Sequence, residues 1–242
     1  MTKSNQNYLK PFFSYYGGKW RSGLKYPSPL YSSIIEPFAG AAGYSTRYYH
    51  HQITLIDKDP IIVSIWKYLI QVSSAEILSL PLLGDDDCIE DLNIPQEAKW
   101  LMGFWVNAGA SQPCKRPSKW MRSHLRNGSF WGESIRTRIA SQVDKIRHWK
   151  IIEGSYEDFS IPKEKCTYFV DPPYKEAGKH YKHHSINYAD LARWCKSLNG
   201  QVIVCEAQGA DWLPFKYFGV VEGSRGKYRK GRGAEVIWTS PK

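Results

Sequence analysis

Apolar residues fall into short runs separated by glycine, proline and charge, and their spacing switches between strand and helix periods. Ile34-Ile35 predicts a buried strand, and Ile53-Thr54-Leu55-Ile56 a second one ending at Asp57-Lys58-Asp59. Between them, Glu36 to Gly43 reads as a loop and Tyr44 to His50 as the opening of a helix. Pro60 suits a first helical position, where a missing N–H costs nothing. Ile61, Ile65, Trp66 and Leu69 follow it at helical spacing. Strand, glycine loop, helix, strand and acidic residue make the first half of a dinucleotide-type βαβ unit. The rhythm returns later, with strands predicted at Lys150 to Ile152, Cys166 to Val170, Gln201 to Cys205, Tyr217 to Val221 and Glu235 to Thr239. A helix is predicted at 188–198, with Gly200 as its C-terminal stop.

From about Ser74 to His148 the alternation breaks down. Helices are predicted at Ala75 to Leu83, Pro95 to Asn107 and Glu133 to Trp149, with a loop over Ala108 to Gly132. The pattern therefore predicts an α/β, Rossmann-like fold with a mostly parallel sheet, built from 1–73 and 149–242. A small, mainly helical insertion occupies 74–148.

Composition adds a partner. The chain has 33 Lys+Arg against 23 Asp+Glu, a formal net charge of +10, which favours a polyanion. The excess concentrates in the insertion, where Lys115, Arg116, Lys119, Arg122, Arg126 and Arg136 lie among Trp120, Phe130 and Trp131. Phosphate contacts with a few base contacts suit that composition, and double-stranded DNA is the expected partner. A second basic stretch spans Arg225 to Arg232. The five cysteines are odd in number and lack C-x-x-C spacing, so no disulfide framework is expected. No histidines fall at metal-site spacing, no apolar run reaches the ~18 residues of a membrane span, and the N-terminus carries no apolar signal region. A cytoplasmic protein without metal or membrane is expected, of unassigned oligomeric state.

The candidate chemistry sits at Asp171-Pro172-Pro173-Tyr174, directly after the predicted strand at 166–170. Two prolines cannot remain in a central strand, so the chain leaves the sheet carrying a carboxylate and an aromatic ring. On its own the tetrapeptide reads equally as a proline-rich turn or as a clamp for a planar, amino-bearing heterocycle. The Glu36-to-Gly43 loop lacks the full G-x-G-x-x-G fingerprint that a pyrophosphate requires. Gly40 and Gly43 still permit close backbone approach, as a nucleoside cofactor without phosphates needs. Asp57 follows where such folds bind ribose.

In combination, Phe13-Ser14-Tyr15-Tyr16-Gly17-Gly18-Lys19, Glu36 to Gly43, Asp57, Ser155-Tyr156-Glu157-Asp158 and Asp171 to Tyr174 resemble, in order, the Dam-like DNA adenine-N6 methyltransferases. The resemblance covers the chain outside 74–148. It implies S-adenosylmethionine as cofactor and S-adenosylhomocysteine as product. It places Lys19 near the methionine carboxylate, with Tyr15 beside the cofactor and Phe38, Gly40 and Asp57 around the adenosine. Ser155, Tyr156 and Asp158 would border the cofactor adenine. Asp171 and the Pro172 carbonyl would accept hydrogen bonds from the target amine, and Tyr174 would stack on the flipped base. Two departures stand out. Asn107-Ala108-Gly109-Ala110-Ser111 replaces the family's Asn-Arg-x-Gly-x-Asn-Gly type segment, so its GATC recognition does not carry over. Cys205-Glu206 replaces a more usual Ser-Asn. The rival readings are cytosine-N4 methylation, which presents the same amine chemistry, RNA methylation, and a catalytically silent DNA-binding module.

Overall fold

The computed structural model describes residues 8–84, 86–107, 109–119, 130–175, 185–221 and 233–240. Among these, seven strands form one sheet: β1 (Ser33–Glu36), β2 (Gln52–Asp57), β3 (Lys150–Glu153), β4 (Cys166–Val170), β5 (Gly200–Ala207), β6 (Lys216–Val221) and β7 (Gly233–Thr239). Their order is β3-β2-β1-β4-β5-β7-β6. The first five run parallel, and β7 enters antiparallel between β5 and β6. From β1 the chain winds outward through β2 and β3, then returns to β4 on the other side of β1. Such a reversal opens a crevice at the strands' C-terminal ends.

Strand alternation sorts the core into two layers. Ile34, Phe169, Ile203 and Cys205 face one side and pack with Ile62, Ile65 and Trp66 of helix α1 (Pro60–Gln71). Ile35, Tyr168, Val170, Val202 and Val204 face the other and meet Leu191, Ala192 and Cys195 of a later helix, Tyr188–Ser197. α1 starts where expected: Pro60 opens it, and the Asp59 side chain accepts from Ile61 N at 3.0 Å. Residues of 74–148 share the first layer, through α2 (Ser74–Ser79), α3 (Gln96–Gly103) and α4 (Glu133–Val143). The later helix, Tyr188–Ser197, is therefore α5. No described helix is long and apolar enough to cross a membrane.

Several local expectations change. The segment after Gly43 makes only one 3-10 turn, Ser45–Arg47. The predicted Ala75–Leu83 helix stops at Ser79, just before Pro81, and the Glu133–Trp149 helix closes at Val143 into a 3-10 turn. Gly200 does not end a helix. It lies in β5 at φ +136°, and a Cβ there would sit 2.1 Å from the Cys166 carbonyl oxygen, so only glycine lets β5 pair with β4. Phe130 and Trp131 are buried at 8% and 1% exposure, which assigns these aromatics to the core rather than to a DNA surface.

Candidate active site

A cavity of about 260 Å3 opens at the switch point between β1 and β4. One wall is the Glu36-to-Ala41 loop with Asp57, Asp59 and Ser155 to Glu157; the other carries Tyr15 to Lys19, Asp171, Pro173, Ser185 and Ile186.

The first wall is built on the ends of β1 and β2. Asp57 accepts hydrogen bonds from Gly40 N and Asp59 N, both at 2.9 Å, and so ties the loop to the strand end. Gly40 takes φ +44°, and its carbonyl accepts from Trp66 Nε1 at 2.8 Å. The Phe38 and Tyr156 rings meet at 5.5 Å and form an aromatic edge beside Asp57. The Lys58 N–H adds a third backbone bond to Asp57, which leaves about one of the carboxylate's four lone-pair sites for a ligand.

The second wall is charged. Lys19 Nζ lies 2.7 Å from Asp171 Oδ1, with side chains only 8% and 19% exposed. The same ammonium sits 4.6 Å from the centroid of the Tyr174 ring. Burial pushes the Asp171 carboxyl up to about 6; Lys19 pulls against that shift, and Glu235 and Glu206 add to it. Two contacts fix Lys19 from behind. Gly43 packs on the Lys19–Trp20 backbone, where a Cβ would come within 2.6 Å of Trp20 N. Arg47 donates from Nε to the Trp20 carbonyl at 3.0 Å while stacking over the Trp20 ring at 3.8 Å. Gly43 lines the cavity, as its sequence reading implies, and its missing Cβ also makes room for the backbone that carries Lys19.

Of the residues singled out in the sequence, Tyr15, Lys19, Phe38, Gly40, Gly43, Asp57, Ser155, Tyr156 and Asp171 line this one cavity. Three others lie outside its lining. Asp158 is exposed and Glu157 takes the wall position, Pro172 is buried with Pro173 facing the cavity, and Tyr174 packs under Lys19. Glu36 and Asp59 were not anticipated. Both are buried acids at strand or helix ends, a position shared with Asp57 that could have flagged them. Lys115, Arg116 and Lys119 are exposed on the segment after α3, with Lys115 Nζ 3.7 Å from Glu90 and Arg116 donating to the Asp86 carbonyl. Arg136 is turned inward: it donates to the Leu80 carbonyl at 2.6 Å and to Glu133, at 17% side-chain exposure. That geometry ties Arg136 to the fold. Arg122, Arg126 and the Arg225-to-Arg232 stretch lie outside the described residues. Among the described residues, no group of three or more His, Cys, Asp or Glu is placed to hold a metal ion.

Three acids of the cavity bind protons more tightly than usual, through burial first: Glu36 is raised to about 8, and Asp57 and Asp171 to about 6. A raised carboxyl favours the folded state while protonated. Its contribution is full below the unfolded values near 4 and is lost as pH climbs through the folded ones. Urea unfolding from pH 5 to 8.5 should therefore show wild type losing stability with rising pH. Glu36→Gln, which keeps an acceptor for Ser45 N, should lose less between pH 6 and 8.5. Parallel curves for the two proteins would contradict this.

No family model matches the chain, and no curated protein matches it. Among solved structures, it aligns with the crystal structure of the glycopeptide N-methyltransferase MtfA complexed with (S)-adenosyl-L-methionine. The alignment covers 99% of this chain and 72% of that one, at 8% identity and a TM-score of 0.35. So loose a likeness carries no argument, and the assignment of the Rossmann-like fold rests on strand order and on the crevice at its switch point.

Proposed function

We propose that this protein transfers a methyl group from S-adenosylmethionine to N6 of an adenine flipped out of double-stranded DNA. One observation carries the reading. A single cavity joins a hydroxyl-binding acid and an aromatic edge, Asp57 with Phe38 and Tyr156, to a buried ion pair, Lys19 with Asp171. The donor set fits the cofactor: an acid for ribose hydroxyls, rings for adenine, and the Lys19 ammonium for the methionine carboxylate. When bound, the cofactor supplies a sulfonium methyl.

The chain's own residues do the rest by position and charge. An exocyclic amine is a poor nucleophile because its lone pair is delocalised into the ring. Asp171, ionised and oriented by Lys19, accepts an N–H of that amine and favours localisation of the pair on nitrogen. It also stabilises the positive charge that nitrogen gains with the methyl, until that nitrogen, now acidic, sheds one proton to solvent. A stacked base cannot reach this cavity, so it leaves the duplex at a cost of a few kcal/mol. Incubation with methyl-labelled cofactor and duplex DNA, followed by nucleoside mass spectrometry, tests the proposal. N6-methyladenine is the expected product. N4-methylcytosine would replace the base assignment, and unlabelled DNA would overturn the reading.

The exposed cations of the insertion supply phosphate contacts in this reading. Substituting Lys115 and Lys119 together with alanine should weaken binding to all duplexes about equally. It should also flatten the log–log salt dependence by roughly one unit per lost contact. Binding titrations between 50 and 200 mM salt measure this, and an unchanged slope would place the DNA elsewhere.

A further inference from the structure

The turn that follows Asp171 is held from behind by a buried acid. We infer that Glu206, near the end of β5, is a positioning residue: its carboxylate staples the Pro173–Lys175 backbone and thereby aims Asp171 into the cavity. The inference rests on the methyl-transfer reading above.

Glu206 is fully buried and three N–H groups converge on it. Its Oε2 accepts from Lys175 N at 3.2 Å and from Trp212 Nε1 at 3.0 Å, and its Oε1 accepts from Ala207 N at 2.8 Å. Burying a carboxylate is costly unless its lone pairs are satisfied, and here three donors satisfy them. Only an acceptor-only group matches three converging donors; an amide would turn its NH2 against one of them. Two residues before Lys175, the Pro173 carbonyl accepts from Tyr188 Oη at 2.7 Å, at the start of α5. The Tyr188 and Trp212 rings meet at 5.5 Å, so one aromatic pair joins the two anchors. Pro173 and Lys175 are thus both tied down, and Tyr174 between them packs under Lys19. The exposed Lys175–Asp211 ion pair, at 3.0 Å, adds little to this grip. Glu206 does not line the cavity, so its effect on transfer passes through the turn.

Glu206→Gln in the full chain tests the staple with two readouts, steady-state kinetics and hydrogen exchange of the Lys175 amide by NMR. The turn loosened by the amide should lower kcat by about 10- to 100-fold, since misplacement near 1 Å has that scale of effect. KM for S-adenosylmethionine should stay within about threefold, and the Lys175 amide should exchange at least about tenfold faster, because its acceptor changes from a charged carboxylate to a neutral amide whose NH2 is pushed away by Ala207 N. Trp212→Phe removes one donor and leaves Glu206 in place, so a smaller drop in kcat, about threefold, should accompany a smaller acceleration of exchange. Unchanged kcat in Glu206→Gln overturns the inference. So does a loss of kcat in either variant without faster Lys175 exchange. If wild-type protein methylates no DNA, the proposed function fails by itself, and the exchange comparison still decides whether Glu206 holds the turn.

Discussion

Asp171→Asn is expected to lower methyl transfer by about 10²- to 10³-fold, the scale of losing one preorganised electrostatic group. The substitution keeps shape and one acceptor oxygen, and removes the charge that stabilises the ammonium-like transition state. Asp171→Ala goes further: both substitutions take the counter-charge from Lys19, but only alanine also takes its acceptor oxygen. That ammonium is 8% exposed and has Asp171 Oδ1 at 2.7 Å. Removing one partner of a buried pair costs about 3–5 kcal/mol, since the other charge is left uncompensated. The alanine variant should therefore unfold at clearly lower denaturant than the asparagine variant. Adding Lys19→Met to Asp171→Ala should recover part of the difference. Labelled-methyl assays with urea unfolding on all four proteins separate the two roles of Asp171. An asparagine variant as active as wild type would remove Asp171 from the chemistry. A double variant no more stable than Asp171→Ala would show that the pair carries no mutual compensation.

Gly43→Ala should damage both fold and site, though it adds one methyl group outside the chemistry. The new Cβ would lie 2.6 Å from Trp20 N and 2.9 Å from Lys19 N and C, all backbone atoms. That backbone has little freedom to yield, because the Trp20 carbonyl is held by Arg47 and the indole Nε1 donates to the Leu9 carbonyl at 2.7 Å. Overpacking of this kind costs about 1–3 kcal/mol, or a fall in Tm of about 5 °C in a chain of this size. What movement does occur displaces Lys19 from Asp171, and transfer should drop by about 10- to 100-fold. Gly40→Ala is the contrast. Its Cβ would meet the Tyr15 ring at 3.1 Å, a side chain that can shift, although φ +44° adds backbone strain. Thermal unfolding and labelled-methyl assays on both variants check the order. A Gly43 variant with unaltered Tm and activity would mean that the Lys19 backbone is free to move.

Much of the site was legible because its parts are local. Asp57 ends a strand, Asp171 precedes two prolines that force the chain out of the sheet, and Pro60 opens a helix. Each signal lies within a few residues of its effect. Asp158 shows the limit of this reading. In Ser155 to Asp158 the direction of each side chain depends on how the turn docks, and Glu157 rather than Asp158 meets the cavity. Arg136, Arg138 and Arg147 show another limit. They look like a basic surface in sequence, yet their guanidiniums donate to the Leu80, Pro11, Ile70 and Val72 carbonyls. A cation bound to the backbone and one free for phosphate are identical letters.

By itself, then, the sequence determined the strand–helix rhythm, the switch-point architecture it implies, and the acids at the ends of β2 and β4. Periodicity, proline and glycine act over neighbouring residues, and neighbours are what a sequence displays. Only the tertiary structure decided that Lys19 pairs with Asp171, that Gly43 also seats the Lys19 backbone, and that Glu206 grips the turn behind Asp171. These relations join residues far apart in the chain. Their strength comes from burial, which lowers the local dielectric and removes water, and burial is a property of the folded protein as a whole.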